Sequence, residues 1–187
     1  MSRRVGIPAV SVVGKSDSGK TTLMEGLIRA LTSRGWRVAT CKHHVHEVDI
    51  DQPGKDSWRH ARAGSRVAMI SSPTQFAVVR QIDAERTLDQ IAAEAVAGGC
   101  DILLTEGFKR AGNVRIEVSR LARSDEIISE PAELFALVTD NPDLRPEGVP
   151  LFGLDEADGL AAFVEERFLA KAHDQHHDQQ GDARDGN

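Results

Sequence analysis

Gly14-Lys15-Ser16-Asp17-Ser18-Gly19-Lys20-Thr21 stands between a short apolar run and an amphipathic one. Its two glycines permit a tight bend in which successive backbone N–H groups point inward, where phosphate oxygens can be held. Lys20 has the reach and charge for β- and γ-phosphates, and the Thr21 hydroxyl can ligate Mg2+. The stretch matches GxxxxGK[ST], the phosphate-binding loop. With Gly at about 7% of residues, chance supplies such a match in roughly one chain in a hundred of this length. The flanks sharpen the signal. Residues 8–13 read as a buried strand, and residues 21–33 as a helix carrying Leu23, Leu27, Ala30 and Leu31 on one face, with Gly35 placed to stop it. A strand that feeds such a loop into a helix N-terminus is the setting the motif requires. Gly14, Lys15, Ser16, Asp17, Ser18, Gly19, Lys20, Thr21 and Thr22 are therefore the expected nucleotide-binding residues.

Further along, short apolar runs alternate with helical patterns. Strands are expected over residues 37–41, 101–105, 114–118 and 135–139, and helices over 88–96 and 160–172. Residues 67–70 and 76–79 flank a turn containing Pro73 and read as a β-hairpin. This alternation predicts an α/β fold of the P-loop NTPase kind, with a mostly parallel sheet flanked by helices and a β-hairpin excursion. One nucleotide-binding domain is expected over residues 1–172. Residues 173–187 are almost wholly polar and too poor in apolar surface to fold, so they are expected to form a disordered tail, whose three His are most simply solvated.

Composition narrows the function. A net charge of −6 argues against a nucleic-acid footprint, and the absence of Tyr leaves few surfaces on which bases could stack. The apolar run 5–13 is too short for a membrane span and contains Gly6 and Pro8, so neither a membrane anchor nor a signal peptide is expected. Cys41 and Cys100 form no CxxC pair and read as reduced thiols, as in a cytoplasmic protein.

A triphosphate site with a metal needs an acid. In open α/β sheets ligands sit beyond the carboxyl ends of the strands. Glu106 closes the strand 101–105 and faces that edge, whereas Asp101 opens it, roughly 13 Å away at about 3.3 Å per residue. Glu106 is thus the expected metal-linked or water-positioning acid, acting with Lys20, and Asp101 a turn residue. Lys42 follows a strand end and joins the same edge. The polar stretch beyond it carries His43, His44, His46, Asp49, Asp51, Gly54, Lys55, Asp56 and Ser57. Taken alone, these residues fit a metal site or a phosphate-sensing loop, Lys and His offering donors to anions and Asp51 a further ligand for Mg2+. A second lysine, Lys15, is similar to that in the deviant loop of MinD-type dimeric ATPases, but Ser16-Asp17 departs from that Gly-rich pattern, and a solvated lysine fits equally.

Together, GKSDSGKTTL (14–23), KHHVHEVDIDQPGKDSWRHARAG (42–64) and LLTEGFK (103–109) resemble the MobB family of molybdenum-cofactor guanine-dinucleotide assembly. The resemblance spans roughly residues 8–170, and the middle stretch is its most specific part. It implies a P-loop fold related to dethiobiotin synthetase and MinD, binding of GTP with Mg2+, weak hydrolysis, a homodimer, and an adaptor role beside the guanylyltransferase MobA. It also implies that Lys42, His43, His46, Asp51 and Gly54–Ser57 line the nucleotide or a molybdopterin phosphate, and that the hairpin helps form the dimer. The base is the open point. Guanine-specific P-loop proteins often use Asn-Lys-x-Asp. Here Asp140 stands after a strand without Asn-Lys, so it fits a guanine reader or a turn residue alike. Two further readings remain: a metal-delivery GTPase using His43, His44 and His46, although no paired cysteines are present to grip a soft ion, and an ATP-dependent ligase or kinase of the dethiobiotin synthetase type.

Overall fold

In the computed structural model of the protein, the described residues are 6–44, 46–108 and 114–170. The elements in chain order are β1 (Ala9–Val13), α1 (Lys20–Ser33), β2 (Val38–Lys42), α2 (Asp56–Arg62), β3 (Val67–Ser71), β4 (Phe76–Arg80), α3 (Leu88–Ala97), β5 (Ile102–Glu106), β6 (Val114–Ser119), β7 (Leu134–Thr139), β8 (Leu151–Phe152) and α4 (Ala157–Val164). They divide into two compact units, one made of the chain up to His43 and from Leu88 onward, the other of His44–Thr87.

The first unit is built on a six-stranded sheet in the order β2-β5-β1-β6-β7-β8. Every neighbouring pair is parallel, so the fold is the expected α/β arrangement. Register puts Val10, Val12, Ile116 and Val118 on one face, where they join Leu23, Leu27 and Leu31 of α1 and Leu160, Ala161 and Val164 of α4 in a single core. Leu27 and Leu31 are fully buried, each contributing about 1.5–3 kcal/mol by leaving water. The opposite face mixes buried apolar residues, among them Val13, Leu103 and Leu137, with polar ones. Ser11, Thr105, Arg115, Glu117 and Ser119 are all buried, and Thr105 Oγ1 donates to Ser11 Oγ at 2.8 Å.

The helix ends follow from glycine. Gly35 takes φ +91°, which lets Trp36 N–H reach Leu31 O and Gly35 N–H reach Thr32 O. This closure satisfies carbonyls that the helix end would leave unpaired. Gly64 and Gly99 close α2 and α3 in the same way. Gly26, inside α1, marks a close helix contact: a Cβ there would lie 2.8 Å from the Cβ of Ala157 in α4.

Three features differ from the sequence reading. α4 starts at Ala157, three residues before the expected start, because Leu160 N–H already bonds Glu156 O. The helix continues as a π-helical turn over Glu165–Leu169. β8 and α2, of two and seven residues, are too short to show a period. In the second unit, β3 and β4 form the expected antiparallel hairpin, with Met69 opposite Val78 and Ser71 opposite Phe76. The polar tail 173–187 lies outside the described residues.

Candidate functional site

The loop 14–19 leaves β1 and enters α1. Gly14 has φ +152°, and a Cβ on it would lie 2.4 Å from the carbonyl oxygen of Val118 in β6 and 2.7 Å from Ser18 Oγ. No larger residue fits. Asp17 and Gly19 also take positive φ, 56° and 97°, which turns the backbone so that N–H groups converge. Gly19 caps α1 without a side chain, so no side-chain oxygen from the cap residue occupies the orphan N–H groups of the first turn. Lys20 Nζ folds back to donate to Lys15 O at 2.6 Å. Dipole end, converging amides and ammonium together make an anion cradle.

Beside it, Glu106 ends β5, its side chain only 13% exposed. Thr21 Oγ1 lies 3.4 and 3.3 Å from its two carboxylate oxygens, and Lys42 Nζ lies 3.2 Å from Oε1. A hydroxyl and a carboxylate side by side at the mouth of this loop are hard oxygen donors of the kind Mg2+ takes. The pairing of β2 with β5 sets this up: Lys42 is in register with Glu106. His43 N–H donates to Glu106 O at 2.9 Å, and its ring packs on Phe108 at 4.8 Å between centroids. Burial pushes the Cys41 thiol, on the same strand, above its ordinary pKa.

The other flank of the loop is a strap that follows β6. Glu117, fully buried, accepts from Ile128 N–H and Ser129 N–H, both at 2.8 Å. Glu126 then pairs with Lys15 at 3.1 Å, so Lys15 is tied to its own chain. Asp140 follows β7 and accepts from Leu121 N–H at 2.6 Å, which gives it a loop-fastening role. It also lines a cavity of about 280 Å3 with Thr139, Asn141, Phe152 and Glu156.

Asp101 lies at the opposite edge, where its carboxylate accepts from Arg37 N, Nε and Nη2 and joins the starts of β2 and β5. It is the turn residue expected. Of the remaining candidates, Lys42 and His43 belong to the first unit, while His46, Asp51, Gly54, Lys55, Asp56 and Ser57 belong to the second. There, Asp51 accepts from Gln52 N–H at 2.8 Å, Lys55 precedes α2 and Ser57 is buried. Asp49 receives Trp58 Nε1 at 3.2 Å and pairs with Arg62. Among the described residues, no three His, Cys, Asp or Glu come together as metal ligands.

The family described as "Molybdopterin guanine dinucleotide synthesis protein B" (MobB) matches residues 9–140. The chain belongs to the MobB family. It is 33% identical over 171 residues to the Molybdopterin-guanine dinucleotide biosynthesis adapter protein of Escherichia coli (strain K12), covering 89% of this chain and 96% of that protein. A crystal structure of molybdopterin-guanine biosynthesis protein B, 32% identical, superposes with a TM-score of 0.62 over 84% of this chain and 98% of that one. Bacillus subtilis MobB, 23% identical, shares the fold with a TM-score of 0.68 over 88% of this chain and 99% of that one. No helix among the described residues of this MobB chain is long and apolar enough to cross a membrane.

Sequence reasoning missed Glu117, which fastens the strap beside the loop. The available signal was a charged residue at every second position of an otherwise apolar strand, Val114-Arg115-Ile116-Glu117-Val118. Period two places such charges on one face, and a buried face needs a partner for each of them.

Proposed function

We propose that this MobB chain is a GTP-binding adapter of molybdopterin guanine dinucleotide synthesis, a weak GTPase that acts as a homodimer beside the guanylyltransferase MobA. The observation that carries the nucleotide part is the uncapped start of α1 with Thr21 Oγ1 within 3.4 Å of Glu106. Loop amides and Lys20 hold the phosphates, Thr21 and Glu106 hold Mg2+ directly or through water, and Lys42 adds a cation beside them. Bound Mg2+ would neutralise charge on the terminal phosphates. Asp140 sits at the cavity that would take the base, and its second carboxylate oxygen can accept from guanine. Within the second unit, His46, Asp51, Lys55, Asp56 and Ser57 offer groups for a phosphate, and in the first unit His43 stands beside Glu106. Slow hydrolysis fits a site in which Glu106 is already engaged by Thr21 and Lys42. The adapter role is supported by relatives that carry that name. The dimer is supported by the hairpin, whose Met69 and Phe76 are 62% and 66% exposed; apolar surface of this kind marks contact sites, and sedimentation of the full chain as a monomer would count against it.

The test is calorimetric titration with GTP and with ATP, each with and without Mg2+. A Mg2+-dependent preference for GTP is expected. A preference for ATP would favour the ligase or kinase reading and remove Asp140 as a guanine reader.

A further inference from the structure

We infer that Arg120 is a phosphate-binding residue of this site, and that it serves the part of the nucleotide common to GDP and GTP rather than the terminal phosphate. The inference rests on the nucleotide-binding reading above. Arg120 follows β6 directly, and the β1–β6 register brings it to the flank of the phosphate loop. Its Nη2 lies 3.5 Å from where a side chain on Gly19 would begin. Its Nε is buried, and among the described residues no acceptor meets it. A guanidinium with a buried unbonded donor, set at the positive end of a helix dipole, is electrostatically costly by itself. An anion at that helix start satisfies the donor and the dipole together. The strap holds Arg120 there: Leu121 N–H is bonded to Asp140, Arg120 O accepts from Arg123 and Ser124 N–H, and Glu117 fastens Ile128 and Ser129.

Strand order decides which phosphate is served. Glu106 and Lys42 stand at the ends of β5 and β2, on one side of β1. A metal held by Thr21 and Glu106 would neutralise charge on the terminal phosphates, so the terminal phosphate would lie on that side. Arg120 stands on the other side, between the loop and the cavity beside Asp140. There the diphosphate leads to the nucleoside.

The experiment titrates GDP and GTP, with Mg2+, into the full chain as wild type, Arg120→Ala and Arg120→Lys, with thermal melting of each nucleotide-free protein as the folding control. Arg120→Ala should weaken GDP and GTP by the same factor, roughly tenfold to a hundredfold, the range of one or two charge-assisted hydrogen bonds. Arg120→Lys should recover part of this, since it keeps the charge and loses the fork. If Arg120→Ala melts early, Arg120→Lys carries the comparison alone, and the expected result is an equal, smaller loss for both nucleotides. Unchanged affinity in both variants, or a loss confined to GTP, overturns the assignment. Failure of the wild type to bind either nucleotide overturns instead the reading on which it rests.

Discussion

At the scale of the residue, chemistry is concentrated in a few side chains whose positions the backbone fixes. Glu106 is the clearest. It is the last residue of β5, nearly buried, and placed against both Thr21 and Lys42. Glu106→Gln keeps the shape and removes the charge, so Mg2+-dependent GTP hydrolysis should fall about tenfold or more while GTP affinity changes by less than that. Turnover measured at saturating GTP checks this, and equal rates for the two proteins would remove Glu106 from the metal's neighbourhood. Much of the site at this scale is legible in the sequence, because each residue type brings one capability that the site requires. Glycine supplies positive φ at Gly14 and Gly19, lysine supplies charge at Lys20, and an acid closes a strand at its carboxyl end. Arg120 is not legible, because its position depends on the strap 120–129, and a strap without periodicity announces nothing; Glu117 leaves only the period-two charge of its strand as a signal. Asp140 is legible as a residue at the site's edge, but its bond to Leu121 N–H is not.

At the scale of the element, helix stops are the best-read features. Gly35 ends its helix where expected, and Gly99 closes α3 just past the expected range 88–96, both through left-handed closures. Gly26 illustrates the reverse case. In sequence it is only a weak spot in an amphipathic helix. In the fold it lets α1 and α4 approach until a methyl group would lie 2.8 Å from Ala157 Cβ. Gly26→Ala should therefore destabilise the protein by about 1–3 kcal/mol through overpacking, despite the better helix propensity of alanine. Adding Ala157→Gly should restore part of the loss, a coupling that a double-mutant cycle of urea midpoints would measure. Strictly additive effects would show that the contact carries no strain.

At the scale of the whole molecule, the class of fold is readable in the sequence and the order of strands is not. Alternating strands and helices imply a parallel sheet, but only the hydrogen bonding places β1 between β5 and β6. That placement gives the loop its two flanks: Glu106 and Lys42 at β5 and β2, and the strap with Arg120 and Asp140 at β6 and β7. The segment His44–Thr87 forms its own compact unit. In sequence it reads only as a polar stretch followed by a hairpin, since seven helical residues among charges leave no apolar stripe. The exposed side chains of the hairpin suit a two-stranded element, which is marginal until something covers it.

Everything proposed for this molecule depends on the loop 14–19 and the start of α1 holding a nucleoside triphosphate. The most direct measurement is a GTP titration, in Mg2+, of the wild-type chain and of Lys20→Ala, with circular dichroism confirming that both are folded. Clear binding by the wild type is expected, with a loss of at least about a hundredfold, in a folded protein, when the Lys20 ammonium is gone. Equal affinity in the two proteins would contradict a phosphate site at this loop.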